Sequence, residues 1–258
     1  MNSQAKPCVA AVLVTIALGM FGCGRNGGPV SSLLAPSPMN DGAGIVAAAQ
    51  IDPVFDPATF VAGVNHPYFP LVPGTISTFR SDTDQGVETN PVEVLREHKR
   101  ILGVEATVVH DQVFLDGVLI EDTLDWYAQD QAGNVWYMGE DSKSYENGVV
   151  VSTEGSWEAG VNGAEAGIIM EAQPRVGDRY RQEFAPGVAE DMASVKSLDK
   201  DVTVPYGSFA HCIQTMEFSS LAPGDRGYKY YAQGVGLVLE VAPRGGHERS
   251  ELISVTGP

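Results

Sequence analysis

The pattern of polar and apolar residues predicts β-strands along most of the chain. Its clearest part is the segment Val104–Leu115, rich in β-branched residues, which is followed by Asp116-Gly117 and then by residues 118–129. An Asp-Gly pair accepts the positive φ angles of a tight turn, so this stretch predicts a β-hairpin.

The second strand of this hairpin has two faces, because successive side chains of a strand point to opposite sides of the sheet. One face carries Val118, Ile120, Leu124, Trp126 and Ala128, and the other carries Glu121, Thr123, Asp125, Tyr127 and Gln129. We expect one face to pack against a core and the other to contact water.

Further turn signals extend this pattern into a meander of antiparallel strands. Residues 130–134 lead into a strand at 135–140, and Asn147-Gly148 joins residues 144–146 to 149–152. More strands are predicted at residues 179–184, 189–196, 202–205, 228–232, 235–241 and 251–255. Helical patterns are scarce. The best one spans residues 91–100, where the alternation of polar and apolar residues also fits a strand. The chain is therefore expected to be mainly β, with few short helices.

The N-terminus has the pattern of a signal peptide at residues 1–22, where a short polar start precedes an apolar run over residues 8–21. This run is shorter than the roughly 20 residues that cross a bilayer as a helix. Residues 20–23, Met-Phe-Gly-Cys, resemble a bacterial lipobox, which predicts a lipid anchor on Cys23 and, with Gly24, an outer-membrane location. Ordinary cleavage near residues 47–49 is the alternative.

The domain division follows from composition. Residues 23–65 are rich in Gly, Ala, Pro, Ser and Asn and lack sustained periodicity, which is typical of a flexible tether behind a lipidated Cys. Residues 66–258 are expected to form one antiparallel β domain. Export and acylation would leave Cys212 as the lone cysteine of this domain, where we expect a buried structural residue.

Charge excludes one class of partner. The 258 residues contain 33 Asp and Glu against 16 Lys and Arg, a formal net charge of -17. No basic cluster is present to neutralise phosphates, so free nucleic acid is not an expected partner. The 29 Gly and 16 Pro fit a fold with many turns between short strands.

Three segments of the chain form a distinctive pattern: Asp-Trp-Tyr-Ala-Gln-Asp at residues 125–130, Gly-Asn-Val-Trp-Tyr at 133–137 and Gly-Ser-Trp-Glu-Ala-Gly at 155–160. With further matches up to about residue 241, this pattern resembles a family of uncharacterised bacterial envelope lipoproteins. The resemblance implies a cell-envelope location and a single curved antiparallel sheet, a half-barrel or open barrel similar to the LolA and LppX carrier folds. It implies no activity and no catalytic residues.

Common catalytic motifs are absent from the sequence, including nucleophile elbows, phosphate loops and zinc-protease helices. No cofactor is therefore predicted. Calcium is an open alternative, because residues 81–86 begin like a calcium loop and Asp130, Asn134, Glu140 and Asp141 flank one turn. A carboxylate pair drawn from Glu158, Glu183, Glu190 and Asp191 could also support hydrolysis.

Aromatic residues give the most useful candidate site. All three tryptophans lie in or beside the predicted meander, and the glycine-rich segment 155–167 could cover them as a functional loop. We expect a concave ligand pocket lined by aromatic rings with polar tips and two carboxylates. Its predicted residues are Trp126, Tyr127, Trp136, Tyr137, Trp157, Glu158, Tyr180 and Glu183.

The leading hypothesis is an exported lipoprotein that binds an apolar or amphiphilic molecule non-covalently in this concave pocket. One alternative is an envelope scaffold or assembly protein that binds another protein through a sheet edge or the segment 155–167. Another is a metal-dependent or carboxylate-dependent hydrolase, although the missing motifs favour a protein without enzymatic activity.

Overall fold

The computed structural model describes residues 50–51, 54–242 and 248–258, so the predicted signal peptide and Cys23 lie outside the described residues. One 3₁₀ turn is present at Pro57–Thr59. The strands are β1 (Gln50–Ile51), β2 (Phe60–Val61), β3 (Val64–His66), β4 (Phe69–Leu71), β5 (Ile76–Thr83), β6 (Gly86–Ile101), β7 (Val104–Leu115), β8 (Val118–Asp130), β9 (Val135–Glu146), β10 (Val149–Ser152), β11 (Trp157–Glu158), β12 (Glu165–Met170), β13 (Arg179–Arg181), β14 (Glu183–Phe184), β15 (Asp191–Val204), β16 (Gly207–Ser219), β17 (Gly227–Ala232), β18 (Gly236–Ala242) and β19 (Glu248–Thr256).

All strands except the β3–β4 hairpin belong to one sheet, in which only β1 and β13 pair in parallel. Its main path runs β13–β15–β16–β17–β18–β19–β5–β6–β7–β8–β9–β12–β14. Residues 179–184 supply both ends of this path. Because β13 pairs with β15 and β14 pairs with β12, the two ends meet here through different halves of one segment. The mainly β, curved antiparallel sheet is confirmed, and it is not closed into a barrel.

Phe69 of the β3–β4 hairpin shows how far the sheet curves. Its ring centroid lies 5.3 Å from that of Tyr127 in β8 and 6.3 Å from that of Tyr231 in β17. Along the sheet these two strands are six steps apart, so only strong curvature brings their inner faces into contact with one phenyl ring. The concave side is therefore filled by the chain's own side chains.

The predicted tight turns are confirmed by backbone angles. Asp116 and Gly117 have φ of 48° and 82°, and Asn147 and Gly148 have φ of 53° and 78°. Both central residues of each turn are left-handed, which is the geometry that matches the twist of two paired strands. These pairs join β7 to β8 and β9 to β10.

Two other expectations need correction. Residues 91–100, the best helical candidate, lie inside β6, where pairing with β5 and β7 outweighs local helix propensity. Ordered strands also begin before the expected boundary at His66, because Phe55 and Phe60 pack on Trp136 of β9. Within the described ranges, the only helical segment is one 3₁₀ turn, too short to cross a membrane.

The polarity of β8 is the main departure from expectation. The face that carries Glu121, Thr123, Asp125, Tyr127 and Gln129 is buried throughout, whereas on the other face Val118 is 58% exposed and Leu124 is only half-buried. Neither face simply contacts water. The curved sheet turns the polar face of β8 towards its own interior.

Several neighbouring strands add buried carboxyl groups to this interior, and their charges act on one another. We call this set the interior acid cluster. It comprises Glu88, Asp111, Glu121, Asp125, Glu140, Glu183, Asp191, Glu217 and the partly buried Glu240, whose Oε2 atom is buried.

One cation lies among these acids. The Nζ atom of Lys229 is 2.8 Å from an Oε atom of Glu217, and both side chains are only 1% exposed. Burial alone would lower the pKa of Lys229, but the charges of Glu217 and Glu240 raise it above its usual value. Lys229 therefore stays charged and partly offsets the surrounding carboxylates.

Several acids of the cluster compensate in another way, by holding protons. Burial raises the pKa of Glu121 to about 8 and the pKa of Asp125 and Glu240 to about 7. Burial and the nearby Asp125 charge also raise the pKa of Asp111. Near neutral pH a substantial part of this set is thus protonated, because ionised carboxylates without partners are costly in a buried environment.

We predict that the free energy of unfolding falls as pH rises from about 4 to about 9. Folded Glu121 keeps its proton up to about pH 8, whereas the unfolded carboxyl loses it near its ordinary pKa, so the folded state binds more protons across this window. Each such proton changes stability by about 1.4 kcal/mol per pH unit. Urea unfolding at several pH values measures the slope.

The variant Glu121→Gln should flatten this pH dependence, because the amide cannot ionise. Glu105→Gln, at an exposed position of β7, is the matched control and should leave the slope unchanged. A stability that rises between pH 6 and pH 9 would contradict the protonation of the interior acid cluster.

Candidate functional site

An open groove of about 390 Å³ lies where the two ends of the sheet meet. The segment around β11 and the loop after β14 contribute apolar residues to its lining, which also includes two largely buried tryptophans and several polar side chains. The groove is lined by Lys99, Trp126, Glu140, Asp141, Ser156, Trp157, Glu158, Val161, Asn162, Ala164, Ala185, Pro186 and Val188.

Three adjacent strands fix the floor of this groove. Gly139 of β9 pairs with Trp126 of β8 on one side and with Glu158 of β11 on the other. Residues in such register share a face of the sheet. A side chain at Gly139, whose φ is +132°, would overlap the backbone of Trp157, so the absence of a Cβ lets β11 approach β9 closely.

The side chain of Lys99 in β6 extends to Trp126 and Glu158 from a more distant strand. Its Nζ atom lies 3.2 Å from the ring centroid of Trp126 and 2.7 Å from Oε2 of Glu158. The ammonium thus contacts both an aromatic face and a carboxylate. The two side chains of the ion pair are about one third exposed, so solvent reaches them at the groove.

Trp157 connects the groove to the interior. Its Nε1 atom donates a hydrogen bond to Oε2 of Glu183 at 2.8 Å, and its ring packs edge-on against Tyr137 at 5.4 Å. Burial and the charge of Asp191 raise the pKa of Glu183. The protonated acid cluster therefore begins directly behind the groove.

Glu140 belongs to both regions, since it lines the groove and pairs across the sheet with Asp125. Burial and the nearby Asp125 raise its pKa well above the usual value. Tyr137 donates a 2.6 Å hydrogen bond to Asp125. Glu140 accordingly offers the groove a carboxyl group that tends to stay neutral and can donate a hydrogen bond.

The structure brings together only part of the predicted ligand-binding set. Trp126, Trp157 and Glu158 line the groove, and Glu183 contacts it through Trp157. The predicted functional loop, residues 155–167, does contribute a wall.

The remaining predicted residues lie elsewhere. Tyr127 and Tyr137 stack at 4.9 Å inside the curved sheet, where they and Tyr180 are fully buried. Trp136 packs on Phe60 and donates a hydrogen bond to Asp130. The expected apolar hollow is thus a filled, partly acidic interior, because the polar residues of β8 face inwards.

The predicted carboxylate pair is also divided. Glu183 and Asp191 face each other in the interior, whereas Glu158 pairs with Lys99 at the groove. Glu190 is partly exposed and accepts hydrogen bonds from the Ser220 hydroxyl and the Gly187 amide.

The residues weighed as calcium ligands have structural partners. Asp130 accepts hydrogen bonds from the backbone and side chain of Asn134, which closes the β8–β9 turn. Asp141 pairs with Lys143 at 2.7 Å. In the part of the chain that the structure describes, no three His, Cys, Asp or Glu side chains are grouped to hold a metal ion.

Cys212 is buried and unpaired, as expected. Its neighbour His211 is exposed and has a φ of 56°, and its ring contacts Asp199 at 2.6 Å. The histidine therefore does not activate the thiol.

Sequence reasoning missed Lys99 and the apolar residues at 185–188, and it considered Glu140 only as a possible calcium ligand. Lys99 is 27 positions before Trp126, and the wall is about 60 positions after it. Only the curvature of the sheet brings them to one place. No local motif marks them, although the closely spaced Ala-Pro-Gly turn at residues 185–187 indicates a loop.

No protein-family model and no curated protein matches the chain. Two solved structures are similar to it. One is a protein from Bacteroides fragilis NCTC 9343 described as exported with a YmcC-like fold, at 14% identity and a TM-score of 0.43, over 73% of this chain and 98% of that one. The other is described as a lipoprotein of Parabacteroides distasonis ATCC 8503, at 13% identity and a TM-score of 0.40, over 77% and 99%.

Both likenesses are remote, so the function has to be inferred from the groove and the sequence. The family resemblance of residues 125–160 stays a prediction.

We predict that Gly139→Ala destabilises the protein by about 3 kcal/mol or more, because the methyl group combines a strained φ with a backbone overlap at β11. Gly148→Ala is the matched control, since its φ is +78° and open space surrounds the added methyl group. It should cost only about 1 kcal/mol. Urea unfolding compares the two variants, and equal losses would show that close packing at Gly139 is unimportant.

Proposed function

We propose that this protein is an exported lipoprotein of the bacterial cell envelope, anchored through Cys23 at the outer membrane. The support comes from the signal-peptide pattern of residues 1–22 and the lipobox-like residues 20–23. A tether behind the anchor keeps the folded domain of this acidic chain, whose formal net charge is -17, away from anionic lipid headgroups.

The proposed activity is non-covalent binding of a small amphiphilic molecule in the groove. The single observation that carries this proposal is the combination of the Trp126 and Trp157 indoles with an apolar wall and a polar rim in one accessible space of about 390 Å³. This volume falls in the usual range of small-molecule sites, which join apolar walls to a few oriented polar groups.

Lipid attachment is tested by substituting the modified residue. In cells, Cys23→Ser should move the full-length chain from the membrane fraction to the soluble fraction, because a serine cannot carry the thioether-linked lipid. Cys212→Ser is the matched control, because that buried thiol lies within the folded domain. Mass spectrometry of the N-terminal peptide should show the acyl chains, and an unmodified Cys23 would refute the anchor.

Ligand binding is tested on the full-length chain purified from its native envelope. Mass spectrometry should detect a co-purifying amphiphile at about one molecule per chain. Val161→Glu and Ala164→Glu, which place charges on the apolar wall, should lower its occupancy at least tenfold. Val118→Glu, at an exposed position in β8, is the control and should retain the ligand. Equal ligand content in all variants would contradict binding in the groove.

A second candidate function is protein binding through β10. Val149, Val150 and Val151 are 64%, 42% and 54% exposed in a short strand that pairs with β9. Consecutive exposed valines in a strand are typical of an edge that can pair with another chain. If this surface is used, Val149→Lys together with Val151→Lys should abolish crosslinks to a partner in cells while leaving ligand content unchanged.

A further inference from the structure

The position of the Lys99 ammonium group marks a place in the groove where a cation is held. It lies 3.2 Å from the Trp126 ring centroid and 2.7 Å from Glu158 Oε2. An aromatic face and a carboxylate are the two partners that proteins use most directly for ammonium groups, and here they lie on the two strands that flank β9. The pair Trp126 and Glu158 is held in place by their common neighbour Gly139.

Lys99 is only loosely held at this position. Its side chain is 35% exposed, and Glu158 is 34% exposed. Exposed ion pairs are weak, and a lysine has a long flexible stem. The side chain can therefore move aside without disturbing the strands beneath it.

The electrostatic surroundings favour a cation over an anion as the replacement. An anion bound to Lys99 would have to displace Glu158 and would then lie beside this carboxylate and that of Asp141. It would also approach a chain with a net charge of -17. A ligand cation is instead attracted by the same carboxylates and by the net negative charge, which raises its local concentration.

An apolar wall lies in the same groove. Val161, Ala164, Pro186 and Val188 line it. A molecule with a positive head and a hydrocarbon part would place its head between Trp126 and Glu158 and its chain along this wall.

We propose that the groove selects amphiphiles that carry an ammonium group, and that this group takes the place of the Lys99 ammonium between Trp126 and Glu158. Lys99 is then an internal occupant that competes with the ligand. The inference rests on the proposed ligand-binding function. It adds that the ligand is a cation and that Lys99 competes with it for the same position.

The test compares three probes with the same hydrocarbon chain: decyltrimethylammonium, decyl sulfate and the uncharged decyl maltoside. Each is titrated into the full-length protein by calorimetry at 0.15 M salt and below its micelle-forming concentration. The cationic probe should bind with 1:1 stoichiometry and at least fivefold more tightly than the other two.

Three variants locate the cation. Lys99→Met removes the competing ammonium but keeps an unbranched apolar stem, and it should tighten decyltrimethylammonium binding about 3- to 10-fold. Glu158→Gln should weaken it by a similar factor. Glu146→Gln, an exposed position on β9 about 20 Å along the strand from Glu140, makes the same charge change and should have no effect.

The outcomes separate the two proposals. Equal or tighter binding of decyl sulfate, or weaker cation binding by Lys99→Met, would overturn the ammonium preference while leaving ligand binding intact. If none of the three probes binds to the wild-type groove, the proposed function itself fails. A cationic probe that binds equally to Glu158→Gln and Glu146→Gln would show a general surface attraction and would also overturn the inference.

Discussion

The burial of carboxyl groups inside a curved sheet is the constraint on which the rest of the structure depends. Ionised carboxylates in such surroundings are costly, and the described part of the chain has one buried lysine, Lys229, to offset them. Hydrogen bonds such as that from Tyr137 to Asp125 offset part of the cost. Retained protons, shown by the raised pKa values of Glu121 and Asp125, offset much of the rest.

This constraint also decides where a ligand can bind. The concave side, which a carrier would use, is occupied by stacked tyrosines, Phe69 and the acid cluster. An open groove lies instead near the junction of the two sheet ends, where it is bordered by short strands and two loops. Trp157 belongs to both regions, because its indole lines the groove and hydrogen-bonds to the buried Glu183. The groove and the interior are therefore in contact through this side chain and through Glu140.

Local signals predicted much of the backbone. Asp116-Gly117 and Asn147-Gly148 specify left-handed turn residues, and such signals need no information from distant parts of the chain. The candidate site was predicted only in part. Trp126, Trp157 and Glu158 could be found from composition and loop signals, whereas Lys99 and the wall at residues 185–188 could not, because long-range pairing brings them to the groove.

The sequence by itself determined the alternation of β8, its hairpin turn and the overall excess of acid, since these depend on residue type and spacing alone. Which face of β8 would be buried was decided by the tertiary structure. Alternation shows that Asp125 and Trp126 point to opposite sides, but not which side the sheet curves towards. That direction follows from the pairing of strands far apart in sequence and from the ring of Phe69 between β8 and β17. Curvature therefore turned a face that resembles a solvent-exposed surface into the interior of the protein.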